Sequence, residues 1–163
     1  MIYSRMVSLN GLKIKYDEGK IWVWREINYK PSYWREAKGC VKKGGYKTVS
    51  INNKPYKYHR VVYFIHNPKW KIHDSSTDNM IDHRDRNPLN NSIENLRVVT
   101  NQQNAWNQDC KGYSFNKSSG KYMARIIVDR KEKYLGMFVS EDEARQAYLN
   151  AKAIHHRIPQ ANP

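Results

Sequence analysis

Residues 80–107 read MIDHRDRNPLNNSIENLRVVTNQQNAWN, and how this stretch folds decides the rest. It holds seven asparagines, yet Met80, Ile81, Leu89, Ile93, Leu96, Val98 and Val99 punctuate it in order. NMIDH and LRVV each predict a short strand. Between them, RDRNPLNNSIEN has no period and is dense in Asn, Asp, Ser and Pro, the residues that close turns. TNQQNAWN then opens a helix, with Thr100 as N-cap and Gln103 completing a capping box. Asn104 falls in the first full turn of that helix, looking back at the strands. The predicted order is strand, loop, strand, helix.

The first strand carries Asp82 and His83 side by side, and alternation sends them to different sides. The helix offers the amide oxygen of Asn104. A carboxylate with an amide oxygen is a hard-oxygen pair, suited to Mg²⁺ or Mn²⁺ rather than zinc. A neutral imidazole, which titrates near about 6.5 when unperturbed, can take a proton at neutral pH. Arg84, Arg86 and Arg97 stand close enough in sequence to clamp phosphates. Asn87, Asn90, Asn91 and Asn101 read as turn formers, and His66, His73, His155 and His156 as structural or surface residues.

Upstream, LKIKY, DEG and KIWVW give a hairpin pattern, with Ile21 and Val23 opposed to Trp22 and Trp24. Because Trp22 and Trp24 share a face, a core role is expected of them. NYKPSYWREAKGCVKKGG reads as an irregular excursion. YKTVSI, NNK and PYKY give a second hairpin, and HRVVYFIHNP a short buried helix stopped at Asn67-Pro68. Downstream, residues 111–138 contain three strand candidates with turns at KSSG and DRKE. SEDEARQAYLNAKAIHH is an amphipathic helix: Ser140 and Glu143 form its capping box, and Ala144, Ala147, Tyr148, Ala151 and Ile154 its buried face.

The chain has 163 residues and a formal net charge of +14. Basic flanks, +10 over residues 1–60 and +5 over 111–163, surround a middle of −1. The flanks suit a polyanion backbone, with Lys42, Lys43, Lys47 and Lys57 as phosphate contacts. The carboxylate-bearing middle suits a cation. Cys40 and Cys110 are too few for a disulfide scaffold, which points to a reducing compartment. No apolar run approaches the roughly 18 residues of a membrane span, and MIYSRMVSLNG lacks the apolar centre of a signal peptide. The expected location is the cytoplasm.

Residues 59–107 resemble the HNH nuclease family in the form met in phage and intron homing endonucleases. The resemblance rests on the Asp82-His83 pair, Asn95 twelve positions after His83 in IENLRVVT, and Asn104 nine further on. It implies a ββα-metal fold in which His83 is the general base and Asp82 and Asn104 hold one divalent ion. Asn95 would brace the loop and orient His83 through backbone hydrogen bonds. YHRVVYF fits the family's preceding helix, where His59 packs or hydrogen-bonds rather than catalyses. Many members carry His at the last position; Asn104 is a variant met among the homing enzymes. Cleavage would leave 5′-phosphate and 3′-hydroxyl ends.

Residues 111–156 resemble the APETALA-type DNA-binding domain of plant ethylene-response factors and phage HNH proteins. The matching segments are KG at 111–112, GKYMARI at 120–126, YLGMF at 134–138 and EDEARQAY at 141–148. The resemblance implies a three-stranded sheet that enters the major groove with the helix behind it, Arg125 and Tyr134 facing DNA. Ser114, Asn116 and Ile127 stand where plant members carry arginines, and a tryptophan near Gly120 is missing. Lys117, Lys121, Arg130, Lys131 and Lys133 could supply phosphate contacts instead.

The expectation is therefore an α+β protein. An N-terminal basic region of β-hairpins (1–58) precedes an HNH core (59–108) and a DNA-binding domain of three antiparallel strands and a helix (109–163). Its substrate would be double-stranded DNA, cut by a monomer or homodimer with one Mg²⁺ or Mn²⁺ per site. The competing readings are a DNA-binding regulator without catalysis and a structural RNA-binding protein.

Overall fold

The computed structural model describes residues 5–158. They form a mixed α+β protein of several antiparallel sheets and three α-helices, packed as two compact units that divide between Thr100 and Asn101.

The first unit opens with a four-stranded sheet of β1 (Met6–Leu9), β2 (Leu12–Asp17), β3 (Lys20–Ile27) and β4 (Lys30–Glu36), each antiparallel to the next. Glu18 and Gly19, at φ +49° and +74°, close the β2–β3 hairpin. Left-handed backbone at both central residues matches the twist of the flanking strands, which is why hairpins favour it. β4 corrects the sequence expectation of an irregular excursion. Tyr29 turns the chain at φ +64°, and Trp34 then meets Trp24 edge-on at 5.3 Å across the strand pair. Pro31 hid the strand pattern; a proline is tolerated there because β4 lies at the sheet edge.

Strand alternation puts Ile14, Ile21 and Val23 on the inner face, where they are buried. Trp22 and Trp24 lie half-buried on the opposite face, so the expected core role for them is also corrected. Against the inner face pack α1 (Tyr58–His66) and a second sheet of β5 (Cys40–Val41), β6 (Lys47–Ile51) and β7 (Lys54–Lys57). The helix and the second hairpin stand where the sequence predicted them. The Tyr58 hydroxyl donates to Gly19 O at 3.2 Å and accepts from Ile21 N at 3.1 Å, pinning the start of α1 to the β2–β3 turn.

β8 (Met80–His83) and β9 (Leu96–Val99) form a two-stranded sheet with a 3-10 turn, Ile93–Asn95, just before β9. One apolar core contains Ile14 and Ile21 together with Val61, Ile65, Ile81 and Leu96. The boundary expected near residue 58 is therefore crossed by continuous packing. Arg60 explains how the long connection to β8 is held. Its guanidinium donates to the carbonyls of Ile72, Asp74 and Asn79 at 2.7, 2.8 and 3.2 Å and stacks over Trp70.

The second unit begins with α2 (Asn101–Asn107) and continues with β10 (Tyr113–Asn116), β11 (Lys121–Val128), β12 (Lys131–Phe138) and α3 (Glu141–His155). The three strands form one antiparallel sheet. Ser140 and Glu143 make the predicted capping box, and Ala144, Tyr148 and Ala151 are buried against Ile126 and its neighbours. Ile154, in the last turn of α3, departs from the predicted buried face and is 62% exposed. Gly112, at φ +76°, touches this core closely: a Cβ there would lie 2.0 Å from the Tyr148 ring. Arg145 ties α3 to the chain after α2, donating to Asp109 Oδ1 at 2.8 Å and Lys111 O at 3.0 Å. Trp106 of α2 stacks on His156 at 4.7 Å.

Ile21 is fully buried at the junction of the sheet and α1. Ile21→Ala should destabilise the first unit by about 2–5 kcal/mol, the usual range for truncating a buried aliphatic chain. Urea denaturation followed by tryptophan fluorescence checks this, and a loss under about 1 kcal/mol would place Ile21 outside the core.

Candidate active site

β8 and β9 pair in a register that sets Asp82 opposite Arg97 and His83 opposite Leu96. Asp82 and Arg97 are both buried, 6% exposed each. Arg97 Nε and Nη2 donate to the same Asp82 oxygen, Oδ2, at 2.9 and 2.8 Å. A buried charge is stable only when paired, so this contact locks the register of a very short sheet. Arg97 stands among the three arginines whose sequence position suggested phosphate contacts; its guanidinium is held inside by Asp82. Arg84 is half-buried with an unpartnered Nε, and Arg86 is exposed in the loop at φ +64°.

His83 is 5% exposed, and its Nε2 lies 3.1 Å from Asn91 Oδ1. Asn91 Nδ2 donates to Leu89 O at 3.0 Å, which fixes the amide so that Oδ1 faces the imidazole. A carbonyl-type oxygen can only accept, so Nε2 carries the proton and Nδ1 is the basic nitrogen. Asn91 was read from sequence as a turn former. It is also the residue that orients His83.

Asn95 stands behind the same loop. Its Oδ1 accepts from Asp85 N at 3.0 Å; its Nδ2 donates to Asp85 Oδ1 at 2.9 Å and to Asn90 O at 2.8 Å. Its carbonyl accepts from Arg84 N at 2.9 Å. Asn90 Nδ2 and Asn87 N close on Asp85 as well, at 2.7 and 2.8 Å. Burial alone would push the Asp85 carboxyl up. The hydrogen bonds from Asn90, Asn87 and Asn95 outweigh it and hold Asp85 below the usual carboxylate range. The loop asparagines thus form a network around Asp85 that fixes the chain that follows His83.

Two aromatic groups back the imidazole. His59, on α1, meets His83 edge-to-face at 4.9 Å, and Tyr46 meets His59 at 5.5 Å and His83 at 6.1 Å. Desolvation, then repulsion from His83, Lys57 and Arg60, pushes the His59 pKa down to about 3. His59 is therefore a neutral packing residue, with a buried Nδ1 that has no hydrogen-bond partner. Its sequence spacing from His83 gave no sign of the contact, because α1 and β8 meet only in the folded core.

Asn104 stands half-buried on α2, in the second unit, whereas Asp82, His83, Asn91, Asn95 and Arg97 are gathered in the first. Among the described residues, no group of three or more His, Cys, Asp or Glu side chains gathers as a metal site. A centre built on a carboxylate and amide oxygens is outside that pattern. Asp82 fits such a centre by its chemistry: it is a buried carboxylate, a hard-oxygen donor, whose Oδ2 is oriented by Arg97.

In the second unit, β11 and β12 present Arg125 opposite Tyr134 on the exposed face, away from buried Ala124 and Ile126. Arg125 Nη1 lies 3.3 Å from Glu132 Oε2. Lys117 and Lys121 are exposed around the β10–β11 turn. Lys133 is exposed too, but it registers with Ile126, which puts it on the opposite face from Arg125 and Tyr134. No described helix is long and apolar enough to cross a membrane.

Residues 56–106 match the model of the HNH endonuclease family. Comparisons with curated proteins and with solved structures gave no match. At the level of the family, the match points to a nuclease hydrolase acting on DNA. It covers the segment that holds α1, β8, the asparagine network and β9.

Arg97→Met alone should cost about 3–5 kcal/mol, since it leaves Asp82 buried without its partner. The double variant with Asp82→Leu should recover most of that loss in urea melts; no recovery would mean that the pair does not hold the sheet. His59 sets a pH dependence. Its pKa in the fold, about 3, lies below its ordinary value of 6.5, so the unfolded chain takes the proton first. Its contribution is complete above pH 6.5 and is lost as the pH falls toward 3. Wild type should therefore lose up to about 1.4 kcal/mol per pH unit more than His59→Phe over that window, measured by urea melts.

Proposed function

We propose that this chain is a divalent-metal-dependent DNA endonuclease of the HNH homing type. The observation that carries the reading is the fixed His83: Asn91 holds Nε2 protonated, and the basic Nδ1 belongs to a histidine next to a buried carboxylate. This geometry lies within the segment matched by the HNH family. In this reading His83 Nδ1 takes a proton from the attacking water, and the resulting imidazolium is stabilised by Asn91 Oδ1. Asn95 keeps the loop closed so that His83 does not turn away. Asp82 would hold one Mg²⁺ or Mn²⁺, with Arg97 keeping its carboxylate in place. When bound, the cation supplies charge neutralisation at the scissile phosphate and the departing 3′ oxygen. The products are 5′-phosphate and 3′-hydroxyl ends.

Arg84 and Arg86 are the proposed phosphate contacts beside the reaction centre, and Lys117, Lys121, Arg125, Lys133 and Tyr134 those of an APETALA-type second unit. The exposure of Arg125 and Tyr134 on one sheet face supports a major-groove approach by that face. Lys133, on the other face, fits a contact to a flanking phosphate better. One reaction centre cuts one strand, so a monomer nicks and a homodimer breaks both. A non-catalytic DNA-binding regulator is the competing reading, supported by the same exposed sheet.

The test uses supercoiled plasmid and long phage DNA with Mg²⁺ and with EDTA. Wild type should relax or linearise DNA only with the metal. His83→Ala should be slower by about 10²–10⁴-fold, the usual weight of a general base, with duplex affinity kept. Equal conversion by His83→Ala would remove His83 from the chemistry. Duplex binding with no cleavage of any substrate would support the regulator.

A further inference from the structure

β3 points Ile21 and Val23 into the core, and the next residue of the same parity is Arg25. Arg35 registers opposite Val23, so a second arginine shares that inner face. Beyond the apolar core the face opens on a cavity of about 520 Å³, lined by Arg25, Arg35, Lys38 and the β6–β7 turn residues Asn52 and Asn53. The one carboxylate on its wall, Glu36, lies 3.9 Å from Lys20 Nζ. Among the described residues, Arg25, Arg35 and Lys38 have no carboxylate or carbonyl partner, and Arg25 Nε is buried without a hydrogen bond.

Three cations converging on one cavity repel each other, and a buried guanidinium nitrogen left unsatisfied is costly. A sequence that put an apolar residue at position 25 would avoid both penalties. An anion with several acceptor oxygens removes both at once, and arginine forks match a phosphate in particular. Asn52 and Asn53, at φ +49° and +59°, form the tight turn that places polar groups on the opposite wall. Asn52 Nδ2 is committed to Asn10 O at 3.0 Å, which fixes that wall relative to the β1–β2 turn.

We infer that Arg25, Arg35 and Lys38 form a phosphate-binding site on the N-terminal sheet, separate from the His83 loop, that takes a backbone phosphate of DNA. The phosphate chemistry comes from the cavity itself; the choice of DNA as its source rests on the nuclease reading. The site anchors substrate away from the scissile bond, so it contributes to affinity and not to the chemical step.

The experiment follows binding of a fluorescent duplex to the full chain in EDTA, by anisotropy, over a series of salt concentrations. Arg25→Gln with Arg35→Gln should weaken binding by about tenfold or more and flatten the log affinity against log salt slope by about 1, given roughly 0.9 per phosphate contact. Lys13→Gln with Lys15→Gln removes the same charge from the opposite face and should change the slope by less than half as much. An unchanged slope in the arginine pair, or an equal change in the lysine pair, overturns the site. If the arginine pair does not fold, Lys38→Gln carries the same test. A second arm compares melting temperatures in inorganic phosphate and in chloride at equal ionic strength. Stabilisation by phosphate in wild type, lost in the arginine pair, supports the site. Phosphate stabilisation without any effect of the variants on duplex binding overturns DNA as the source. Absence of cleavage by wild type, with the salt-slope effect intact, would instead count against the nuclease reading alone.

Discussion

Asp82 and Arg97 face each other across two strands of four residues each, and both are buried. Such a short sheet has little backbone bonding to set its register. A shift by one residue would turn every side chain to the other face and leave both charges buried and alone. The ion pair therefore selects a single register. Once that register is set, His83 lies opposite Leu96, its ring meets His59 of α1, and its Nε2 reaches Asn91. The asparagine network then closes the loop between the strands around Asp85. Stability and chemistry share these residues: the group that locks the sheet also orients the carboxylate proposed to bind metal.

Local pattern was readable where residues answer to their neighbours in sequence. The β2–β3 hairpin, the helix Tyr58–His66, the strands MIDH and LRVV and the capping box at Ser140 follow from alternation, turn residues and caps. β4 was not readable, because Pro31 and the polar residues of an edge strand blur its period. The role of Trp22 and Trp24 was misjudged for another reason. Two tryptophans on one strand face identify a face, but which face is buried depends on α1 and the second sheet, which pack on Ile21 and Val23. Ile154 fits the helical period yet is exposed in the last turn of α3.

The candidate site divides in the same way. Asp82, His83 and Asn95 stand together in one loop and strand pair, as their spacing suggested. Arg97 sits in the interior, because pairing across the strands cannot be seen from a count along the chain. Asn91 was hidden among other turn-forming amides; its role depends on the Leu89 carbonyl that fixes the orientation of its amide. His59 and Tyr46 come from elements far away in sequence. The basic character of the N-terminal region was legible as charge, but the convergence of Arg25, Arg35 and Lys38 on one cavity required the fold of β3 and β4 against the β6–β7 turn.

The central proposal is that Asp82 and His83 belong to one metal-assisted reaction centre on DNA. The most direct measurement is the anomalous scattering of Mn²⁺ in crystals of the His83→Ala chain bound to an uncut duplex. The account predicts one strong peak within coordination distance of the Asp82 carboxylate, with a phosphate oxygen beside it. A complex that shows no peak there, or a peak coordinated by other residues, would contradict it.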